Sequence, residues 1–319
     1  EKVSINEALG RILSEDIIAR RNNPPMDNSA MDGYALIAKD IELATPETPV
    51  KLDIIEDLAA GYSPEMTIQP GQAVRIMTGA PIPEGADAVI MQEDTERNGN
   101  SVQVKDKAEV RENIRDAGED VREGETVIRK GADLMPAHIG MMAVVGRSTA
   151  LVGRRPQVAV LSTGDEVMDL DEPLSGPCIY NSNGYMLAAQ IKSAGGIPSY
   201  LGIARDNEKD LMEKFKWALQ CDMVVSSGGV SVGDYDLVKT SLEKMGQEML
   251  FWKVAMKPGK PLAFGRINDV PIFGLPGNPV SSFVSFEQFV RPSIRKMMGA
   301  AQLNHKSVQA KLTRTVHKK

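Results

Sequence analysis

The sequence predicts an α/β protein of several domains: a three-layer, doubly wound, mainly parallel sheet domain, a β-rich inserted domain and a small linking domain. Three observations point there. From Val158-Ala159-Val160-Leu161 onward, apolar strand-like runs alternate with helix-like ones, the pattern of βαβ units. Between Val50 and Val104, short apolar stretches are separated by Gly-Tyr-Ser-Pro, Gln-Pro-Gly and Arg-Asn-Gly-Asn, which reads as small antiparallel β structure. The length, 319 residues, allows about two domains at roughly 150 residues each, and the text changes character more than once along it.

Taken in order, Ser4-Ile5-Asn6-Glu7 is a capping box before Ala8, Leu9, Ile12 and Leu13, so a short amphipathic helix is expected to open the chain. Pro24-Pro25 then forces an extended crossing. Residues 105–123 are highly charged and read as a mobile loop around Ala117-Gly118-Glu119-Asp120-Val121. Asp133 to Ala143 predicts a second, buried helix packing on the first. These features delimit a linking domain over 1–18 plus 125–154, with the β-rich domain inserted at 19–124. Arg154-Arg155-Pro156 opens the α/β domain, 155–303. Within it, Tyr185 to Ala194 predicts a helix capped by Asn181, Ser182 or Asn183 and stopped by Gly195-Gly196. Asn207 to Gln220 is another, Met223-Val224-Val225 a strand, and Lys239 to Met245 a third helix. A long apolar helix runs from near Ser281 toward Met298.

Composition excludes several functions. Forty-three acids against 37 bases, a net charge of −6, argue against a general nucleic-acid binder, so any anion site must be local. The longest apolar run, Leu134 to Gly146, falls short of the roughly 20 residues that span a bilayer, so no membrane partner is expected. Glu1 is not followed by a charged-then-apolar leader, and Cys178 and Cys221 have no partners at metal-ligand spacing, so a reducing cytoplasm is expected. His138 reads as a packed residue. With His305 and His317 isolated, no Ser-His-Asp, Cys-His or zinc pattern is supported.

In doubly wound sheets ligands bind beyond the carboxyl ends of the strands. Four phrases fall there: Ser162-Thr163-Gly164-Asp165-Glu166, Ser226 to Asp234, Lys257-Pro258-Gly259-Lys260-Pro261, and Gly274 to Ser281. They are expected to converge on one crevice. Gly228-Gly229 lets bare backbone approach an anion, though such a pair is often only a tight turn. Lys253, Lys257 and Lys260 crowd one strand end of an acidic protein, which is costly unless an anion or carboxylates accept them. The Ser281 hydroxyl can complete an oxyanion seat or serve as a helix cap. Asp165, Glu166, Asp222, Asp234 and Asp236 are hard oxygen donors suited to Mg²⁺ bridging a substrate phosphate, or else cap helices and answer lysines.

Pro24 to Ala35, Arg75-Ile76-Met77-Thr78-Gly79-Ala80-Pro81 and the four loops, in this order, resemble the molybdopterin molybdenumtransferases, the MoeA and gephyrin E-domain family, over about residues 3 to 300. The resemblance implies an α/β domain of molybdopterin-binding type and insertion of molybdenum, from molybdate, into the dithiolene of adenylylated molybdopterin, with release of AMP and with Mg²⁺ as cofactor. It implies that Thr163, Gly164, Ser227, Gly228, Gly229, Ser231 and Pro276 contact substrate. Lys257, Lys260, Pro261 and Ser281 would seat molybdate, Lys253 the pterin or phosphates, and Glu166 with Asp165 the metal ion. Asp32, Thr78 and Asp120 match positions important for activity, and Asp222 and Asp236 would position metal, water or pterin. It further implies a homodimer whose site lies between subunits and a molybdopterin adenylyltransferase as pathway partner. Residues 304–319 would begin a C-terminal β domain that is cut short here. Adenylylation of molybdopterin, and a gephyrin-like scaffold role, are the competing readings.

Overall fold

A computed structural model describes residues 1–228, 237–246 and 248–315. The chain divides into two compact units: residues 1–15, 129–139 and 148 onward form one, and residues 16–128 with 140–147 the other. The segments expected to form a linking domain are therefore shared between the two.

The residue 16–128 unit is built on a six-stranded sheet: β1 (Gly33–Leu36), β2 (Val50–Leu58), β3 (Gln72–Ile76), β4 (Ala88–Met91), β5 (Thr95–Asn98) and β6 (Ser101–Val104), ordered β4-β1-β3-β2-β6-β5. The sheet is mixed rather than purely antiparallel, because β2 and β3 run parallel. Alternation divides its residues between two cores. Tyr34, Leu36, Leu52 and Ile90 pack on one side, and Ala35, Val74, Ile76 and Val89 on the other. The charged stretch 105–123 is pinned. Asp27 accepts from Arg111 at 2.7 Å and from the Ala117 amide at 2.8 Å, and Ile114–Arg115 pairs with Asn28–Ser29.

The opening helix does not form. Only a 3₁₀ turn, Ile5–Glu7, follows Ser4, whose hydroxyl accepts the Asn6 amide at 3.3 Å. The backbone then turns away to pair with another segment: Gly10 and Leu13 donate to the carbonyls of Leu134 and Ala132, bonds a continuing helix could not make. The second predicted helix is present as α1 (Pro136–Val144), but it buries only Met142. His138 accepts the Met135 amide at its Nδ1, a local cap.

The larger unit contains the predicted doubly wound sheet: β7 (Gln157–Thr163), β8 (Ile197–Ala204), β9 (Met223–Ser227), β10 (Glu248–Lys253), β11 (Pro261–Ile267) and β12 (Val270–Leu275), ordered β8-β7-β9-β12-β11-β10. The first four in that order are parallel; β11 and β10 close the edge antiparallel. Strand alternation builds two layers of core. Val158, Val160, Met223 and Val225 face α2 (Ser182–Ser193) and the helical stretch of α5 (Pro279–Ser285), a π turn (Phe286–Val290) and α6 (Arg291–Met297). Ala159, Leu161 and Val224 face α3 (Glu208–Ala218) and Leu242 of α4 (Leu237–Lys244). Asn181 caps α2 by accepting the Gly184 amide at 3.0 Å, Asn207 caps α3, and Asn278 caps α5. Among the described residues no helix is long and apolar enough to cross a membrane.

Phe286 is 0% exposed and belongs to the core cluster that also holds Val158, Val225, Leu187 and Ile294. Phe286→Ala is expected to destabilise the larger unit by about 3–5 kcal/mol. Urea unfolding followed by tryptophan fluorescence checks this, since both tryptophans, Trp217 and Trp252, lie in that unit. A loss below about 1 kcal/mol would show that Phe286 is not central to that core.

Candidate active site

Register places the functional loops at one end of the sheet. Ser162 of β7 lies opposite Ser227 of β9, which lies opposite Leu275 of β12. Because β11 runs antiparallel to β12, with Ala263 opposite Gly274, its first residue Pro261 emerges at the same rim. Lys253, the last residue of β10, pairs with Pro261. All four predicted phrases, as far as they are described, therefore leave the same edge.

The loops also touch. A Cβ on Gly228 would meet the Thr163 carbonyl at 2.7 Å, and Gly228 holds φ +96°, so glycine is required on both counts. Its amide donates to the Leu275 carbonyl at 3.1 Å, and its Cα lies 3.9 Å from where a Gly277 side chain would begin. Gly259, between the two prolyl-framed lysines, lies against α5: a Cβ there would meet Ser285 Oγ at 2.7 Å and the Ser281 carbonyl at 3.5 Å. Lys257 and Lys260 thus flank a turn packed on the helix that carries Ser281. Asn278 accepts the Ser281 amide at 3.1 Å and does the capping, which leaves the half-buried Ser281 hydroxyl for other use. Pro276 is buried, and its carbonyl accepts from Ser227 Oγ at 3.5 Å.

A solvent-open hollow of about 430 Å³ lies over these strand ends, lined by Thr163, Glu166, Asn183, Ser227, Gly228 and Pro279 among others. Its polar floor is tightly wired. Ser162 Oγ donates to Asn181 Oδ1 at 2.7 Å, and Asn181 Nδ2 donates to the Tyr200 hydroxyl at 2.7 Å. Tyr200 and Tyr185 both donate to Asp169, at 3.3 and 2.8 Å. Burial, then the Asp169 charge, push the Tyr200 phenol upward, so it stays a donor. Sequence reasoning treated Asn181 and Asn183 only as caps. Their position at the start of a helix that follows a strand-end loop was the available signal.

The carboxylates separate. Glu166 lies over Gly164 at the wall of the hollow. Asp165 turns aside, where its Oδ1 accepts the Asp206 amide at 3.1 Å. Among the described residues no three His, Cys, Asp or Glu side chains cluster as a metal cage. Mg²⁺ ordinarily takes one or two protein carboxylates and completes its shell with water and substrate phosphates, and Glu166 fits that kind of partial donor set. Asp222, predicted at the site, is not brought to it. It precedes β9 at the opposite end, about 16 Å of strand from Ser227. There it accepts a fork from Arg154 at 2.6 and 2.9 Å and the Gln157 amide at 2.7 Å, a structural clamp. Gly229, Ser231, Asp234 and Asp236 lie outside the described residues.

In the other unit, Asp32 and Thr78 are brought together: Asp32 Oδ1 accepts both the amide and the hydroxyl of Thr78 at 2.7 Å. These bonds, the amide first, hold the Asp32 carboxyl below the usual range. Asp120 instead pairs with Asn23, accepting Nδ2 at 3.3 Å.

This combination, a doubly wound domain with glycine-lined loops at one rim and a separate β-rich unit, defines a class. A family model described as the MoeA N-terminal region (domain I and II) matches residues 1–146, and one described as a probable molybdopterin binding domain matches residues 159–296. Molybdopterin molybdenumtransferase 2 of Mycobacterium tuberculosis is 42% identical over 303 residues, covering 93% of this chain and 75% of that protein. The molybdopterin molybdenumtransferase of Bacillus subtilis is 41% identical over 300 residues, covering 92% and 70%. The crystal structure of the molybdopterin biosynthesis MoeA protein from Pyrococcus horikoshii superposes with a TM-score of 0.81 at 34% identity, covering 95% of this chain and 75% of that one. The chain belongs to the molybdopterin molybdenumtransferase family.

The Arg154 clamp has a pH signature. Its hydrogen bonds to Asp222 hold that carboxyl below its unfolded value of about 3.9. The resulting stability is present above that pH and is lost as pH falls through the lower folded pKa. Asp222→Asn should cost about 1 kcal/mol at pH 7, and the gap to wild type should narrow as pH falls below about 3.9. Paired urea melts test it; a gap that widens in acid refutes the assignment.

Proposed function

We propose that this chain inserts molybdenum from molybdate into the dithiolene of adenylylated molybdopterin and releases AMP, a step of molybdenum cofactor biosynthesis in the cytoplasm. The observation that carries the reading is the row formed by Thr163, Gly228, Pro276, Pro261 and Lys253 along one sheet rim, with Lys257 and Lys260 turned over the helix of Ser281. Molybdate is a tetrahedral dianion. Lys257, Lys260 and the Ser281 hydroxyl supply charge and donors for it, and Pro261 shapes the wall. The Gly228 loop favours the phosphates, and Lys253 engages phosphate or pterin groups.

A molybdate oxygen attacks the adenylyl phosphorus, and the anhydride electron pair leaves with the molybdopterin phosphate. Ligation of the sulfurs to molybdenum then expels AMP. Mg²⁺, held by Glu166 and substrate phosphates, would neutralise charge on the breaking anhydride. The chain's own groups fix the two reactants within reach, which is where most of the rate originates in such transfers. Residues 155–303 serve as the molybdopterin-binding domain and 19–124 as the β-rich domain, with 1–18 plus 125–154 linking them. In a homodimer, Asp32, Thr78 and Asp120 of one protomer complete the site of its partner. A molybdopterin adenylyltransferase supplies the substrate.

AMP release from adenylylated molybdopterin should depend on molybdate, and Lys257→Ala should lower kcat/KM roughly 10- to 100-fold, the value of one charge-assisted contact. AMP release that ignores molybdate, or an unaffected variant, defeats the reading. Subunits carrying Asp32→Ala and Lys257→Ala, each strongly impaired alone, should rise to about a quarter of the wild-type rate when mixed, because random pairing leaves one intact site in half the dimers. No recovery on mixing would place each site within a single protomer.

A further inference from the structure

We infer that Asn183 is a specificity-determining acceptor, whose Oδ1 receives a hydrogen bond from the exocyclic amino group on the pyrimidinone edge of the pterin substrate. The inference rests on the molybdopterin reading above. Asn183 is 9% exposed, in the first turn of the twelve-residue helix α2, and it lines the hollow. Its Nδ2 lies 2.8 Å from both Ser227 Oγ and the Gly277 carbonyl. A carbonyl can only accept, so the orientation of the amide is settled and Oδ1 is the end left over. That Oδ1 is buried and has no hydrogen-bond partner among the described residues. Thr163 Oγ1, on the same hollow in a residue 4% exposed, is in the same condition. Buried polar atoms are rarely left unpaired, and two in residues lining one hollow point to a ligand that completes them.

The unpaired atom also dictates what the ligand presents. Phosphate and molybdate oxygens are acceptors, and an anionic oxygen facing the amide oxygen would be repelled, so the anionic part of the substrate lies elsewhere on the rim. What remains is a neutral donor. A pterin offers an amino group and a ring N–H side by side, next to a ring carbonyl that the Thr163 hydroxyl can serve. The ribose hydroxyls of the adenylyl group are the other source of neutral donors. The Ile179 and Tyr180 walls of the hollow suit a flat ring and favour the heterocycle.

The test compares pterin with lumazine, in which the amino group is replaced by a carbonyl, and adds AMP as a third ligand, each titrated calorimetrically against the full chain. Wild type should bind pterin at least about tenfold more tightly than lumazine. Asn183→Ala should bring the two within about twofold and leave AMP affinity unchanged. Ser227→Ala, which removes one anchor of Nδ2 but keeps Oδ1, should retain the preference, and it decides the matter with wild type if Asn183→Ala does not fold. Equal binding of the two heterocycles by wild type, or an undiminished preference in Asn183→Ala, overturns the inference. So does loss of AMP affinity alone, which would assign Asn183 to the ribose. If adenylylated molybdopterin still binds wild type in those cases, only this inference fails; if it does not bind, the proposed function fails as well.

Discussion

Burial of the central sheet on both faces constrains everything else in the larger unit. Val158 and Val160 point into one helical layer while Ala159 and Leu161 point into the other, so β7 has no free face, and the same holds for β9. Polar chemistry is left only the strand ends. Helices that follow these strands begin at the carboxyl rim, so the start of α2 and the start of α5, each capped by an asparagine, collect there with their unpaired amides.

The close approach of the loops is the second constraint. Thr163, Gly228 and Gly277 come so near one another that a single methyl group at position 228 would collide with backbone. Close packing carries a cost in unpaired polar atoms: Thr163 Oγ1, Asn183 Oδ1, Ser226 Oγ, Ser282 Oγ and Ser285 Oγ are all buried without partners among the described residues, and all lie on or near these loops and α5. An ordinary core would replace such groups with apolar ones.

Charge is sorted with comparable care. Asp222 is held by Arg154 at the far end of the sheet, Asp165 by the Asp206 loop, and Asp32 by Thr78. Each is an acid whose oxygens are already engaged. Glu166 alone among the described carboxylates discussed lines the hollow.

Much of this was legible in the residue order. Alternation in Val158 to Leu161, the asparagine caps and the placing of glycines after strands identify a doubly wound sheet and its functional loops, because those signals are local: pleat, helix period and turn geometry act within a few residues. The opening segment misled for the converse reason. Ser4 to Leu13 has the spacing of a helix, but the amides of Gly10 and Leu13 find carbonyls more than a hundred residues away, and distant backbone pairing outbid local preference. Asp222 misled similarly, since sequence proximity to Ser227 conceals that a strand separates its two ends. Residue types and spacing established which chemistry the chain carries; which oxygens are clamped, which stay open, and that Asn183 holds an unpaired acceptor over the hollow, emerged from folding alone, because each depends on partners brought together from separate strands and loops.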